Sequence, residues 1–237
     1  MYITIHQPEH LPWLGFLDKA AQADCIVILD NVQFRKNYFH NRNKVRTASG
    51  FSWITVPIKR HESKILINEV EIDNTHKWAL KYYKTIFYSY NKAPYFRKYN
   101  SYFQSLLQKK WEKLVDLNME LIRFLFSAFN IETEIVMSSA LENTRGKGSE
   151  LLLSICRQLK AKEYLSGISG KEYLDEKCFT SENIRVNYQE FYHPVYKQLY
   201  EPFMHCMSSI DLLFLYGEDA PAILFSDKVE RLAYLIP

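Results

Sequence analysis

The chain has 237 residues, 47 % of them apolar, which is enough apolar material to bury a core and excludes a disordered or fibrous protein. Thirty basic against 27 acidic side chains leave a net charge of +3, so the composition lacks the electrostatic footprint of a dedicated DNA binder. Cys25, Cys156, Cys178 and Cys206 are too scattered for a CxxC pair or a disulfide framework. The opening MYITIHQPEH has no secretory h-region, and apolar runs such as IDLLFLY fall far short of the ~20 residues a membrane span needs, so a cytoplasmic protein is expected. With 17 Tyr against 7 Gly, a rigid globule with Tyr hydroxyls lining a groove is expected as well.

In chain order, Tyr2 to His6 reads as a β-strand and the continuous apolar run CIVIL, residues 25–29, as a strand buried on both faces of a parallel sheet. Leu14, Phe16, Leu17, Ala20 and Ala21 recur near helical spacing between them, giving a strand, helix, strand unit. A right-handed crossover then places the loop from His6 to Pro12 at the carboxyl edge of the sheet, where open α/β folds bind ligands. FSWITVP at 51–57 and ILINEVEI at 65–72 are each read as strands. Residues 76–130 form a helical block: Trp78, Tyr82, Ile86 and Tyr90 are spaced by four, Pro94 ends that helix, and one or two more follow. Further on come a strand at 133–137, a helix at 148–159, a short strand at 163–165, a strand at 185–191 and a helix at 209–216 capped by Ser208 or Ser209. The expected architecture is one α/β domain over 1–237, a predominantly parallel doubly wound sheet carrying a helical insertion.

Four stretches hold the residues suited to chemistry. In HQPEHLPWLGFLDK, two prolines stiffen the turn, and His6 closing a strand is placed to act as acid or base, or simply to be a satisfied core histidine. His6 and His10 bracket a Glu at i, i+4, but Pro8 prevents the continuous helix a zinc HExxH site requires, so no metal is expected. DNVQFRKNYFHNRNKVRT, residues 30–47, supplies Arg, Lys and amide donors for phosphate or carboxylate, interleaved with rings that can stack on a base or sugar; a solvated basic loop fits it equally. YLSGISGKEYL, residues 164–174, offers a glycine-permitted nest near Lys171, although its spacing is not that of a Walker A loop and a plain turn into a helix also explains it. YHPVYKQLYEPF, residues 192–203, is an extended segment whose His193 precedes a proline.

Together these stretches, with FSWITVP and SSIDLLF, resemble the WbqC-like protein family, whose HQPxYLPWLGFFDK and LDxVQFxKxxxxNRN blocks appear here as HQPEHLPWLGFLDK and LDNVQFRKNYFHNRN. His10 stands where that pattern usually has Tyr. The resemblance implies a bacterial protein associated with O-antigen or other surface-polysaccharide gene clusters. It further implies transfer of an acyl or aminoacyl group, such as glycyl, onto a nucleotide- or lipid-linked sugar. His6 and Asp30 are taken as the catalytic candidates. Gln7, Gln33, Lys36, Asn41, Arg42, Asn43, Ser166, Gly167, Lys171, His193, Tyr196 and Gln198 are taken as substrate-binding candidates. The expected partners are a small sugar substrate and a phosphate-bearing carrier, with an acyl or aminoacyl donor as the co-reactant, no DNA, and the oligomeric state open. A nucleotidyltransferase-like enzyme and a non-catalytic sugar- or nucleotide-binding subunit are the alternative readings.

Overall fold

The computed structural model describes residues 1–61, 63–142 and 144–226, together with the backbone of a strand at 231–233. The chain begins β1 (Tyr2–His6), α1 (Leu14–Ala21) and β2 (Cys25–Ile28). It then leaves the sheet for a hairpin, β3 (Arg42–Thr47) and β4 (Gly50–Thr55), and three helices, α2 (Trp78–Tyr90), α3 (Phe96–Gln108) and α4 (Leu114–Ala128). The sheet resumes with β5 (Glu134–Met137), α5 (Ser149–Gln158), β6 (Glu163–Ser166), α6 (Glu176–Thr180) and β7 (Arg185–Tyr188). The remainder holds β8 (Tyr192–Pro194), α7 (Ile210–Tyr216), α8 (Ala220–Phe225) and β9 (Arg231–Ala233), with β8 and β9 paired antiparallel.

The central sheet is parallel throughout, in the order β5-β2-β1-β6-β7. The chain builds outward from β1 through β2 to β5, then crosses back over β1 to lay down β6 and β7. The order therefore reverses between β1 and β6, the position where doubly wound sheets open a crevice beyond their strand ends.

Burial on both faces explains why β2 is an unbroken apolar run. Cys25 and Val27 join Ile3, Ile5, Leu153, Ile155 and Phe179 on one face, while Ile26 and Ile28 pack with α1, the insertion helices and the C-terminal helices on the other. Burying a side chain of this size stabilises by roughly 1.5–3 kcal/mol, so each face is held by many such contributions. Phe214 on α7 draws the C-terminal segment onto the insertion, its ring lying 5.1 Å from Tyr90, 5.4 Å from Phe96 and 5.6 Å from Phe103. No helix among the described residues is long and apolar enough to cross a membrane.

The helical block falls where its periodicity places it, but two local expectations change. Residues 65–72 form no strand; they make a short 3₁₀ turn at Ile67–Glu69. The reason is that their backbone groups are shared among separate partners: Ile65 O accepts from Phe34, Ile67 N–H donates to Val32 and Ile72 N–H to Glu112, so no ladder propagates. Ser209 does not cap α7 through its side chain; its hydroxyl donates to Pro12 O at 2.7 Å and ties that helix to the loop after β1.

Candidate functional site

A cavity of about 580 Å³ opens beyond the carboxyl end of β1, on the side where the strand order reverses. The loop after β1 and helix α1 contribute His6, Glu9, Trp13, Phe16 and Lys19. The insertion adds Tyr38, Phe39 and Lys44, the loop after β6 adds Gly167, Ile168 and Ser169, and the segment after β7 adds Gln189 to Tyr192. His205 and Cys206 complete the wall. A more open groove of about 510 Å³ between Lys59, Arg60, Lys64, Glu69 and Glu71 is less suited to a ligand. Its Glu71 carboxylate is already paired, with Lys59 at 2.6 Å and with Lys113 at 3.5 Å.

The loop after β1 is held rigid by side chains from distant segments. Asn43, fully buried on β3, donates to His10 O at 3.2 Å and Leu11 O at 2.8 Å, fixing the bend where Leu11 takes a φ of 44°. Asn118 on α4 donates to Pro8 O and His40 O and accepts from His10 Nδ1–H at 2.8 Å, while the Tyr82 hydroxyl donates to His10 Nε2. Both ring nitrogens of His10 are thus occupied, and burial depresses its pKa to about 4. His40 accepts from Arg35 N–H at Nδ1 and donates from Nε2 to Gln7 Oε1 at 2.8 Å; it too is held neutral by burial, with a pKa of about 4.

The floor of the cavity carries three titratable groups. His6 donates from Nδ1 to Gln7 O at 3.0 Å, which sets the tautomer and leaves the Nε2 lone pair facing Glu9 Oε1 at 3.9 Å. Burial, seconded by the Lys19 charge, lowers its pKa to about 3, so the imidazole is neutral at physiological pH. The side chain is nonetheless 26 % exposed toward the cavity. Burial also raises the Glu9 pKa to about 8, with Lys19 partly opposing, so the carboxyl is chiefly protonated at pH 7. Glu9 Oε2 is buried with no hydrogen-bond partner. Lys19 donates to Ile5 O at 3.0 Å, and burial lowers its pKa to about 8, with Glu9 partly opposing. A neutral base, a protonated acid and a desolvated ammonium in one cleft form the kind of constellation that marks reactive sites.

The sequence-derived residues divide. His6 and Gly167 line the cavity; Gln7 orients His6 through its carbonyl and holds His40. Asp30 is buried away from the lining, accepting from Ser138 Oγ, Ser139 N–H and Ser139 Oγ, and so holds the turn after β5. Gln33 donates to Ser63 O, Asn41 to Val56 O and Arg42 to Asn37 O, and Lys36 is exposed. Ser166 donates to Gly167 O, and Lys171 lies 5.3 Å over the Tyr188 ring. His193, Tyr196 and Gln198 are buried elsewhere. His193 accepts from Cys206 N–H, while Tyr196 and Gln198 both donate to Asp211 Oδ2 at 2.9 Å. Sequence reasoning did not select Glu9 or the Phe191–Tyr192 wall for the site, and it placed Lys44 among the cations of the 30–47 stretch without singling it out. Lys19 appears there only as the last residue of the HQPEHLPWLGFLDK block. The signal for Glu9 was its place between two prolines in the stiff loop after β1.

Fold and site together define a doubly wound α/β protein with a ligand-sized cavity at the switch point of its sheet. The sequence matches the WbqC-like protein family over residues 7–223, and the chain belongs to that family. It is also similar to the uncharacterized protein Rv1507c of Mycobacterium tuberculosis (strain ATCC 25618 / H37Rv), 34 % identical over 227 residues that cover 94 % of this chain and 96 % of that protein. No solved structure gives a significant match.

Proposed function

We propose that the protein is a transferase that moves an acyl or aminoacyl group, such as glycyl, onto an amino or hydroxyl group of a nucleotide- or lipid-linked sugar in surface-polysaccharide synthesis. The observation that carries this reading is the pairing of a neutral His6, its Nε2 lone pair open, with a protonated Glu9 whose Oε2 has no protein partner. His6 takes the proton from the attacking sugar group as the new bond to the acyl carbon forms, and Glu9 donates a hydrogen bond to the oxygen that gains charge. The proton on His6 then passes to the departing group of the donor. An anionic substrate raises the basicity of His6 by offsetting the Lys19 charge that lowers it.

The walls suit a sugar better than a bare triphosphate. Trp13, Phe16, Phe39, Phe191 and Tyr192 supply rings, whereas among the described residues the lysines and arginines of the lining are only Lys19, already donating to a backbone carbonyl, and Lys44. A nucleotidyltransferase is the second reading, favoured by one observation: the strand order puts His6 at the position where doubly wound sheets bind nucleotides. Mass spectrometry of reactions containing glycyl or acyl donors and a panel of amino-sugar nucleotides separates the two. Acyl transfer adds the acyl mass to the sugar, and His6→Ala abolishes it. Release of pyrophosphate from a nucleoside triphosphate, with no acylated product from any donor, refutes the first reading in favour of the second.

A further inference from the structure

The outward face of the β3–β4 hairpin alternates cations with exposed rings and runs up to the cavity rim. Side chains alternate along a strand, so Asn43 and Val45 turn inward and are fully buried while Arg42 and Lys44 turn outward. The antiparallel register sets Lys44 directly opposite Trp53. Trp53 is 37 % exposed and Phe51 42 %, unusual for rings of this size. Lys44 Nζ lies 4.9 Å from the Phe51 ring and 5.6 Å from the Trp53 ring, and Arg42 Cζ lies 4.1 Å over Trp53. Phe39, 6.0 Å from Trp53, and Lys44 also line the cavity, so ledge and cavity form one surface.

Lys44 is half-buried against these rings and forms no ion pair among the described residues. A cation that has shed part of its hydration without a carboxylate partner is complementary to an anionic ligand. In the same cavity the buried, unpartnered Glu9 Oε2 independently marks a place where a ligand group completes the hydrogen bonding. We propose that the hairpin face binds the nucleoside diphosphate portion of a nucleotide-linked sugar. The base stacks on Trp53 with the Phe51 ring, perpendicular to it, at its edge, the diphosphate meets Lys44, and the sugar enters the cavity toward His6. This rests on the reading of the cavity as the sugar site and selects the nucleotide carrier over the lipid one. A polyprenyl chain needs a continuous apolar groove, whereas each exposed ring here is flanked by a cation, the mixture that holds a heterocycle next to phosphate.

Isothermal titration tests this with ADP, UDP, CDP, GDP and dTDP against inorganic pyrophosphate and farnesyl diphosphate. At least one nucleoside diphosphate is expected to bind about 10-fold or more tightly than either control, and Lys44→Gln and Trp53→Leu are each expected to weaken it by about 10-fold or more. Both sites are on the surface of the hairpin, and unchanged melting temperatures verify that these variants fold. His6→Ala is expected to leave the affinity within about 2-fold, because the imidazole meets the sugar and not the carrier. The proposal is overturned if no nucleoside diphosphate binds, if farnesyl diphosphate binds as tightly, or if the hairpin variants bind as the wild type does. Retained, hairpin-dependent nucleotide binding without acyl transfer breaks the earlier reading and leaves this one standing.

Discussion

Two buried polar clusters sit at opposite ends of the same inserted hairpin, and they are built in opposite ways. In the first, Arg46 is 1 % exposed and donates to Thr47 O, Gly50 O, Tyr200 O, Pro202 O and Gln198 Oε1, so its guanidinium is saturated by protein. Gln198 and Tyr196 then bind Asp211, which also lies against the Tyr90 hydroxyl. In the second, Glu9 keeps an oxygen without a partner, and His6 lines the cavity with its Nε2 lone pair facing Glu9 Oε1 at 3.9 Å. A buried charge fully wired to backbone carbonyls fixes a loop. Each cluster holds a buried acid with one unpartnered oxygen, Asp211 Oδ1 and Glu9 Oε2, but of the two only Glu9 lines the cavity.

Breaking the closed cluster gives the largest effect. Arg46→Met strands five acceptors and leaves Asp211 buried without its cation, so denaturant unfolding is expected to show a loss of about 3–5 kcal/mol. In the open cluster the expected loss is catalytic: His6→Ala lowers turnover by about 100-fold or more while shifting the melting temperature by less than about 3 °C. A large drop in melting temperature with turnover retained would make His6 structural instead. His10 sharpens the contrast, because it lies in the same HQPEH block yet belongs to the scaffold. His10→Ala orphans Asn118 Oδ1 and the Tyr82 hydroxyl and is expected to cost about 1–3 kcal/mol, read by chemical denaturation.

The smallest effect is on the acid side of the pH profile. His6, His10 and His40 have folded pKa values of about 3, 4 and 4, below the usual 6.5. Their contributions are therefore complete above pH 6.5 and lost as the pH falls toward 4. Glu9 and Asp211 oppose this, since burial raises their folded values to about 8 and about 6, and their contributions fade as pH rises. Three protons against nearly two leave a net loss on the order of 1 kcal/mol per pH unit between pH 6 and 5. Stability that is flat or rising on acidification over that window would show that these histidines charge freely in the folded state.

Much of the sheet was legible because it is written locally. CIVI is apolar because both faces of β2 are covered, and Leu14 to Ala21 repeats at helical spacing because α1 has one buried side. The carboxyl-edge rule then pointed to His6 and the loop after β1 without any contact being known. What was not legible depends on long-range partners. ILINEVEI has a strand's composition, but its backbone is divided among Val32, Phe34 and Glu112. His193, Tyr196 and Gln198 look like a polar edge in sequence and become scaffold only because Asp211 and Cys206 reach them. Arg42 and Lys44 are indistinguishable as cations until the fold shows Arg42 donating to Asn37 O and Lys44 lining the cavity.

The central claim, that the cavity cluster is kept for a ligand and the Arg46 cluster for the fold, is tested most directly by comparing Glu9→Gln with Gln198→Ala in equilibrium denaturation at pH 7.5. The Glu9 folded pKa lies above its unfolded value, so its stabilising contribution is full below pH 4.5 and lost as pH rises toward 8. An amide that cannot ionise is therefore expected to leave the protein as stable as the wild type or more so, whereas Gln198→Ala is expected to lose about 2 kcal/mol by orphaning Arg46 Nε–H and Met204 N–H. A Glu9→Gln variant destabilised as much as Gln198→Ala would contradict the account, because Glu9 would then be part of the scaffold.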